Sequence, residues 1–405
     1  MSSSRTNSSF TVENYRWVIL LVFMFTSFMI QIVWITFAPI MNDVAPHYNV
    51  TPDAILLVTA SYMIIYIPVN FPATWMIDKY GLKWGTGIGV ILLGVFGFLR
   101  AFSGTNYTFV LVCEIMAGIG QPFILNSFTK VSVNWFPEEE KTLATGLGTI
   151  SAFLGIMIGE ILTPFLFVQY GIETVLLIYG IFSLLAMILY FAFTKNAPSA
   201  PPNKFAGQKA FNYDGMMRLF KNSNFNILLI ISFVAFGAFN AISSEVDIIF
   251  QKITTPVEAH GILGGLIILG GILGAGIVST ISDMTQKRVI YIKIAIIIST
   301  ILVGLLIVFT DFYIEAVVSL SFGFFLVSAL PVGLIYATEL TYPITEEASN
   351  GLLITLGQIS SLIFIIMFEA ISVTIAMALL VLFFVITAIL TFFLKESSKL
   401  ITNTS

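Results

Sequence analysis

Twelve apolar runs, each long enough to cross a bilayer, set the limits on this chain. They cover roughly residues 17–40, 54–77, 85–102, 108–129, 143–167, 172–193, 225–249, 261–281, 289–309, 314–337, 350–370 and 373–394. A hydrocarbon core of about 30 Å takes about 20 apolar residues per helical crossing, and only helices or closed barrels satisfy their backbone groups there. The runs are continuous, unlike the alternating segments of about ten residues that build a barrel. Of the 405 residues, 58% are hydrophobic and 10% charged, more apolar matter than the surface of a soluble domain can carry. The expected fold class is an all-α membrane protein of twelve transmembrane helices.

Between the sixth and seventh runs lies "TKNAPSAPPNKFAGQKAFNYDGMMRLFKNSN", whose Pro, Lys and Asn content marks a linker. It separates an N-terminal six-helix bundle, residues 1–194, from a C-terminal one, residues 225–394, with 195–224 as cytoplasmic linker and 395–405 as tail. Within the linker, "NYDGMMRLFKN" has the pattern of a short amphipathic surface helix. Arg5, Arg16, Lys79, Lys83, Lys130, Lys141, Lys287, Arg288, Lys395, Lys399 and the basic residues of the linker fall on one side, with Arg100 and Lys252 near the other. Basic loops stay cytoplasmic, so both termini are expected in the cytoplasm of a multi-pass cell-membrane protein. Met1 to Glu13 is polar and the first run exceeds a signal-peptide core, so no cleavable leader is expected. The lone Cys113 excludes an internal disulfide.

The halves repeat. Asp78 in "FPATWMIDKYGLKW" recurs as Asp283 in "STISDMTQKRV", 205 positions later, with Lys83 matched by Arg288. "WFPEEEKTLATGLG" recurs as "TYPITEEASNGLL" at nearly the same offset. Parallel six-helix repeats are the layout of a transporter whose substrate site lies between its halves. Read alone, the DKYGLK turn is either a solvated hairpin or a conformational device. An acid at one helix end can hold the positive N-terminus of a neighbour or a base, and Gly81 permits a tight turn. The "FPEEEK" cluster has the same two readings, a solvated loop or a partner of that device.

Polar side chains at depth are the other signal. Gln121, Asn240 and Gln358 fall near the middle of their runs. A buried amide in lipid needs a partner, which a neighbouring helix or a cavity would supply. Trp34 fits either an interfacial belt or a pocket wall. Glu114, two helical turns before Gln121, and Glu160 are ionisable groups at depth and hence functional candidates: proton-coupling sites, cation attractors, or donors of one hydrogen bond to a neighbouring helix. Glu245, Asp247 and Glu369 read as solvated helix ends. Gly118, Gly120, Gly155 and Gly159 suit close helix packing. His47 and His260 are expected in outer loops without a metal-ligand cluster, and neither a phosphate-cradling loop nor a nucleophile elbow occurs. The chain therefore reads as no enzyme, with no cofactor, no metal and no nucleic-acid partner.

The turn after the second run resembles the loop signature of the major facilitator superfamily, with Thr74 in place of its leading glycine, Lys79 in place of its first arginine, and Gln286 in place of the central glycine of the second copy. That resemblance implies a cytoplasmic latch of Asp78, Lys79, Gly81, Lys83 and Lys130, repeated by Asp283 and Arg288. Within the superfamily, "RWVILLVFMF", "WITFAPI", "SYMIIYIPVNFPATWMIDKYGLK", "GQPFILNSFTKVSVNWF" and "YPITEEASNGLLITLGQ" resemble the feline leukemia virus subgroup C receptor-related transporters, a family associated with choline, ethanolamine and haem. By position, the resemblance implies substrate-binding roles for Trp34, Gln121 and Gln358; Asn240 stands where that family has an aromatic residue.

One indole face among neutral amides suits a small cation, through cation–π attraction in a dry pocket. The expectation is a monomeric secondary transporter of a small organic cation or amine alcohol, of the choline/ethanolamine type, working by alternating access in the bilayer. A proton-coupled exporter of amphipathic cations is the alternative, with Glu160 standing where drug antiporters carry a proline. A non-transporting receptor or sensor on the same scaffold is the third reading.

Overall fold

The computed structural model describes residues 3–198, 219–251, 257–341 and 346–396. Most of the linker lies outside them, including residues 212–218 of the expected amphipathic segment, and so does Lys252. Among the described residues all regular structure is helical. The chain divides into two units, Met1–Lys209 and Ala210–Ser405.

In the first unit α1 spans Ser3–Ile35, α2 Pro52–Gly81, α3 Gly87–Leu99, α4 Tyr107–Leu125, α5 Ser127–Trp135 and α6 Glu138–Phe193. Ten helical stretches among the described residues are long and apolar enough to cross a membrane. Two of these, Pro52–Phe102 and Leu143–Phe193, run for 51 residues, about 75 Å at 1.5 Å per residue, more than twice the hydrocarbon core. Each is interrupted by a glycine with left-handed backbone, Gly81 (φ 78°, ψ 177°) and Gly171 (φ 76°, ψ 167°), a conformation that other residues adopt only at a cost. The Tyr190 hydroxyl, donating to the Leu82 carbonyl at 2.7 Å, pins the first of these turns.

Small residues set the helix spacing. A Cβ on Gly155 would lie 2.4 Å from the carbonyl oxygen of Phe28, which is how α6 comes against α1. Gly89 and Gly120 meet backbone to backbone where α3 crosses α4. The fourth apolar run is not one continuous helix: it breaks at Asn126, whose side chain is drawn into bonds with α2.

The second unit comprises α7 Ser223–Ser244, α8 Val246–Phe250, α9 Val257–Thr285, α10 Val289–Val308, α11 Phe312–Thr341, α12 Glu346–Ala370 and α13 Val373–Thr391. Its tightest seam joins α9 to α11, where a Cβ on Gly323 would fall 1.8 Å from the Ile267 carbonyl oxygen. Large apolar side chains such as Trp75, Ile188, Val317 and Phe392 are exposed, as expected where lipid replaces water as solvent.

Candidate functional site

In the first unit α1 ends at Ile35 and leaves its last carbonyls without helical partners. Thr36 Oγ1 donates to the Ile32 carbonyl at 2.7 Å. Arg100 Nη1 donates to the Val33 carbonyl at 3.1 Å, and Arg100 Nη2 to Thr36 Oγ1 at 3.2 Å. Arg100 is 0% exposed and forms an ion pair through the same Nη1 with Glu114, which is 1% exposed. Tyr62 on α2 donates its hydroxyl to the other Glu114 oxygen at 3.1 Å. The sequence places Arg100 beside an outer loop as one of two bases on the sparse side; it is instead an interior group. A guanidinium at a helix C-terminus is favoured by the helix dipole, and at depth it needs a counter-charge.

Trp34 belongs to the same cluster. It is 5% exposed, and its indole N–H donates to the Thr59 carbonyl at 3.2 Å. Its burial excludes the belt position, which requires a lipid-facing ring. One turn before it, Gln31 accepts from Gln121 Nε2 at 2.7 Å, tying α1 to α4. The structure thus links Trp34 to Glu114 through Arg100, Thr59 and Tyr62, and Gln121 to Gln31 one turn before Trp34; Gln31, Arg100, Tyr62 and Thr59 are residues that sequence reasoning missed. Glu160 is buried on α6, next to Gly159, whose Cβ position abuts Ile35.

In the second unit Asn240, half-buried on α7, donates to Ser361 Oγ on α12 at 3.0 Å, and Gln358 lies half-buried one turn before that serine. Two expectations fail here. Glu245 and Asp247 are buried rather than solvated: the seventh run is broken at Glu245 (φ −107°, ψ 18°) and continues as the short α8. His260 is not in a loop: it sits within α9 and its Nδ1 lies 2.9 Å from Asp247 Oδ1. Glu369 is exposed, as a solvated helix end should be.

Toward the other end of the first unit, Lys130 Nζ lies 2.8 Å from Asp78 Oδ1 and 2.8 Å from the Ile77 carbonyl oxygen. Lys83 donates to the Phe191 carbonyl at 3.2 Å, and Lys79 stacks over Trp75, 4.6 Å from the ring centroid. The equivalent turn of the second unit uses its charges differently. Arg288 pairs with Asp283 at 2.6 Å within its own loop and reaches Glu339 on α11 at 3.1 Å. Gln286 adopts φ 53° there, so the turn keeps the left-handed residue without the glycine. In "FPEEEK" Phe136 is buried and Glu140 pairs with Arg16 at 2.8 Å.

α2 carries these contacts on one stripe. Tyr62, Tyr66, Asn70, Thr74 and Asp78 recur every four residues, so each neighbours the next along a stripe that winds around α2 by about 40° per step. Tyr66 donates to Asn126 Oδ1 at 3.3 Å, while Asn126 Nδ2 donates to Asn70 Oδ1 at 2.7 Å and Thr74 Oγ1 at 3.0 Å. A polar seam thus runs along α2 from the Glu114 ion pair to the Lys130 ion pair.

Comparison with known proteins agrees with this architecture. A model of the Major Facilitator Superfamily matches residues 23–365. The choline/ethanolamine transporter FLVCR2 of Rattus norvegicus is 29% identical over 384 residues, covering 89% of this chain and 70% of that protein. Solute carrier family 49 member A3 of Xenopus tropicalis is 29% identical over 389 residues, covering 91% and 80% respectively. A crystal structure of a bacterial homolog to the human lysosomal transporter Spinster, inward-facing and unoccupied, aligns with a TM-score of 0.71 at 13% identity, covering 94% of this chain and 97% of that one. That last likeness is one of fold.

Proposed function

Because the chain belongs to the major facilitator superfamily, we propose that it is a secondary transporter of a small organic cation or amine alcohol, of the choline/ethanolamine kind, working by alternating access. In this reading the chain crosses the cell membrane twelve times as a monomer, each 51-residue stretch turning back at its glycine, with both termini cytoplasmic. The burial of Arg100 removes one of two exceptions to the cytoplasmic bias of Lys and Arg.

The observation that carries the substrate reading is the chemistry gathered around Trp34. An indole and the Gln31–Gln121 amide pair share α1 and α4, and the nearby carboxylate of Glu114 is already matched by Arg100. What remains is a π surface among neutral dipoles, which suits a soft cation. Cation–π attraction in a desolvated site contributes about 2 kcal/mol, roughly thirtyfold in affinity. In the second unit Asn240 and Gln358 offer amides of the same kind. Support also comes from relatives named as choline/ethanolamine transporters that match along most of the chain.

Proteoliposome counterflow with labelled choline, ethanolamine, basic amino acids and lipophilic cations tests this directly, since counterflow needs no driving force. Trp34→Ala should weaken choline counterflow by an order of magnitude or more, and Trp34→Phe much less. Equal losses would leave Trp34 a steric role only. The proton-coupled alternative rests on Glu160, a buried acid on α6. Transport that follows a pH gradient, and stops following it in Glu160→Gln, would favour that reading instead.

A further inference from the structure

We propose that Arg100 and Glu114 form a charge-neutral clamp that positions Trp34 and keeps its surroundings open to a cation. This rests on the substrate reading above and assigns a role to two residues that do not themselves need to touch substrate.

Positioning follows from the bonding pattern. Arg100 holds the Val33 carbonyl, the backbone group immediately before Trp34, and the Thr36 hydroxyl, which in turn caps Ile32. On the other side the indole N–H is fixed to Thr59, one turn from Tyr62, and Tyr62 is fixed to Glu114. Backbone and side chain of Trp34 are thus both referred to one ion pair. Moving the end of α1 relative to α2 and α4 would break the Arg100–Val33 or the Trp34–Thr59 bond.

The electrostatic part follows from the same geometry. A lone guanidinium beside a cation site repels the substrate; Glu114 cancels that field. Gln in place of Glu114 keeps one oxygen to accept from Arg100, turns its amide N–H toward the Tyr62 hydroxyl and uncovers one positive charge. At an effective dielectric near 20, one unit charge about 10 Å from a bound monovalent cation weakens its affinity by an order of magnitude or more. A neutral molecule of the same shape is indifferent to the change.

The test is choline counterflow in proteoliposomes of the full chain, with competition by unlabelled choline and by its neutral carbon isostere 3,3-dimethyl-1-butanol. Glu114→Gln should raise the choline KM about tenfold while the isostere's inhibition constant moves less than twofold; Glu114→Asp should restore most of the choline affinity. Equal shifts for both ligands, or none for either, would overturn the electrostatic role. If the unpaired variant does not fold, the double variant Arg100→Leu/Glu114→Leu, which removes both buried charges together, carries the test. It should weaken choline and isostere alike and red-shift the Trp34 emission in a background where Trp17, Trp75, Trp84 and Trp135 are Phe. Unchanged emission and affinities would overturn the positioning role. If the unmutated protein shows no choline counterflow at all, the substrate reading has failed, and the Trp34 emission of the double variant alone decides for or against the clamp.

Discussion

Replacing the Gln31–Gln121 pair by leucine, singly and together, separates helix glue from substrate recognition. The two amides are 7% and 6% exposed and bonded at 2.7 Å. Leu at either position strands the other amide in an apolar interior. An unsatisfied buried amide costs about 1–3 kcal/mol in soluble proteins, and interhelical bonds in membrane bundles average about 0.6 kcal/mol, with a maximum near 1.7. Each single variant should therefore lose about 1 kcal/mol of stability. The double variant removes both polar groups and should return to within about 0.5 kcal/mol of the parent, giving a coupling energy of about 1.5–2 kcal/mol. Transport should not return with it, because the amide dipoles offered to the substrate are gone. Stability would be followed by reversible unfolding in mixed micelles, and function by choline counterflow. Two results refute the reasoning. Additive losses of stability would mean the amides do not depend on each other, and parental transport by the double variant would reduce the pair to a packing contact.

Three further substitutions probe other parts of the molecule. Asp78 and Lys130 are partly exposed, with 40% and 24% of their side-chain surfaces accessible, so Asp78→Asn should cost under about 1 kcal/mol of stability yet shift the balance between outward- and inward-open states, read as altered labelling of single cysteines on the two sides of the membrane. Unchanged labelling would count against a latch. Gly323→Ala must push α9 from α11, since its Cβ would lie 1.8 Å from the Ile267 carbonyl oxygen; a loss of about 2–3 kcal/mol is expected, seen as a lower melting temperature, whereas Gly276→Ala, with open space around it, should melt as the parent does.

The helices were legible because each apolar run is a physical length, and the ends follow from it: 289–309 in the sequence corresponds to Val289–Val308 in the structure, and 373–394 to Val373–Thr391. The turn at Gly81 was legible because few other residues accept its backbone angles. What stayed hidden were relations between polar residues on different helices. Arg100 closes an apolar run and looks like an anchor at the membrane surface; only the approach of α4 and the end of α1 shows that it has turned inward. Asp247 looked solvated because the break at Glu245 is silent in a run of helix-compatible residues. The stripe on α2 could have been found, since 62, 66, 70, 74 and 78 are all polar or aromatic-hydroxyl positions at spacing four. Taken one at a time, these residues seemed tolerable exceptions in an apolar helix.

The starts of two helices depend on residues that come more than a hundred positions later. The backbone N–H of Lys83, just ahead of α3, donates to Asn196 Oδ1 at 2.7 Å, and those of Arg288 and Val289, at the head of α10, donate to the Glu396 carboxylate at 2.9–3.2 Å. In both units a helix head is thus fastened by the segment that follows the unit's last helix. During synthesis each of these helix heads waits, its donors on water or lipid headgroups, until the ribosome has delivered the closing residue. Each bundle is a purse whose drawstring is threaded last, and a chain cut before Asn196 or Glu396 would lack the bonds that close these helix heads.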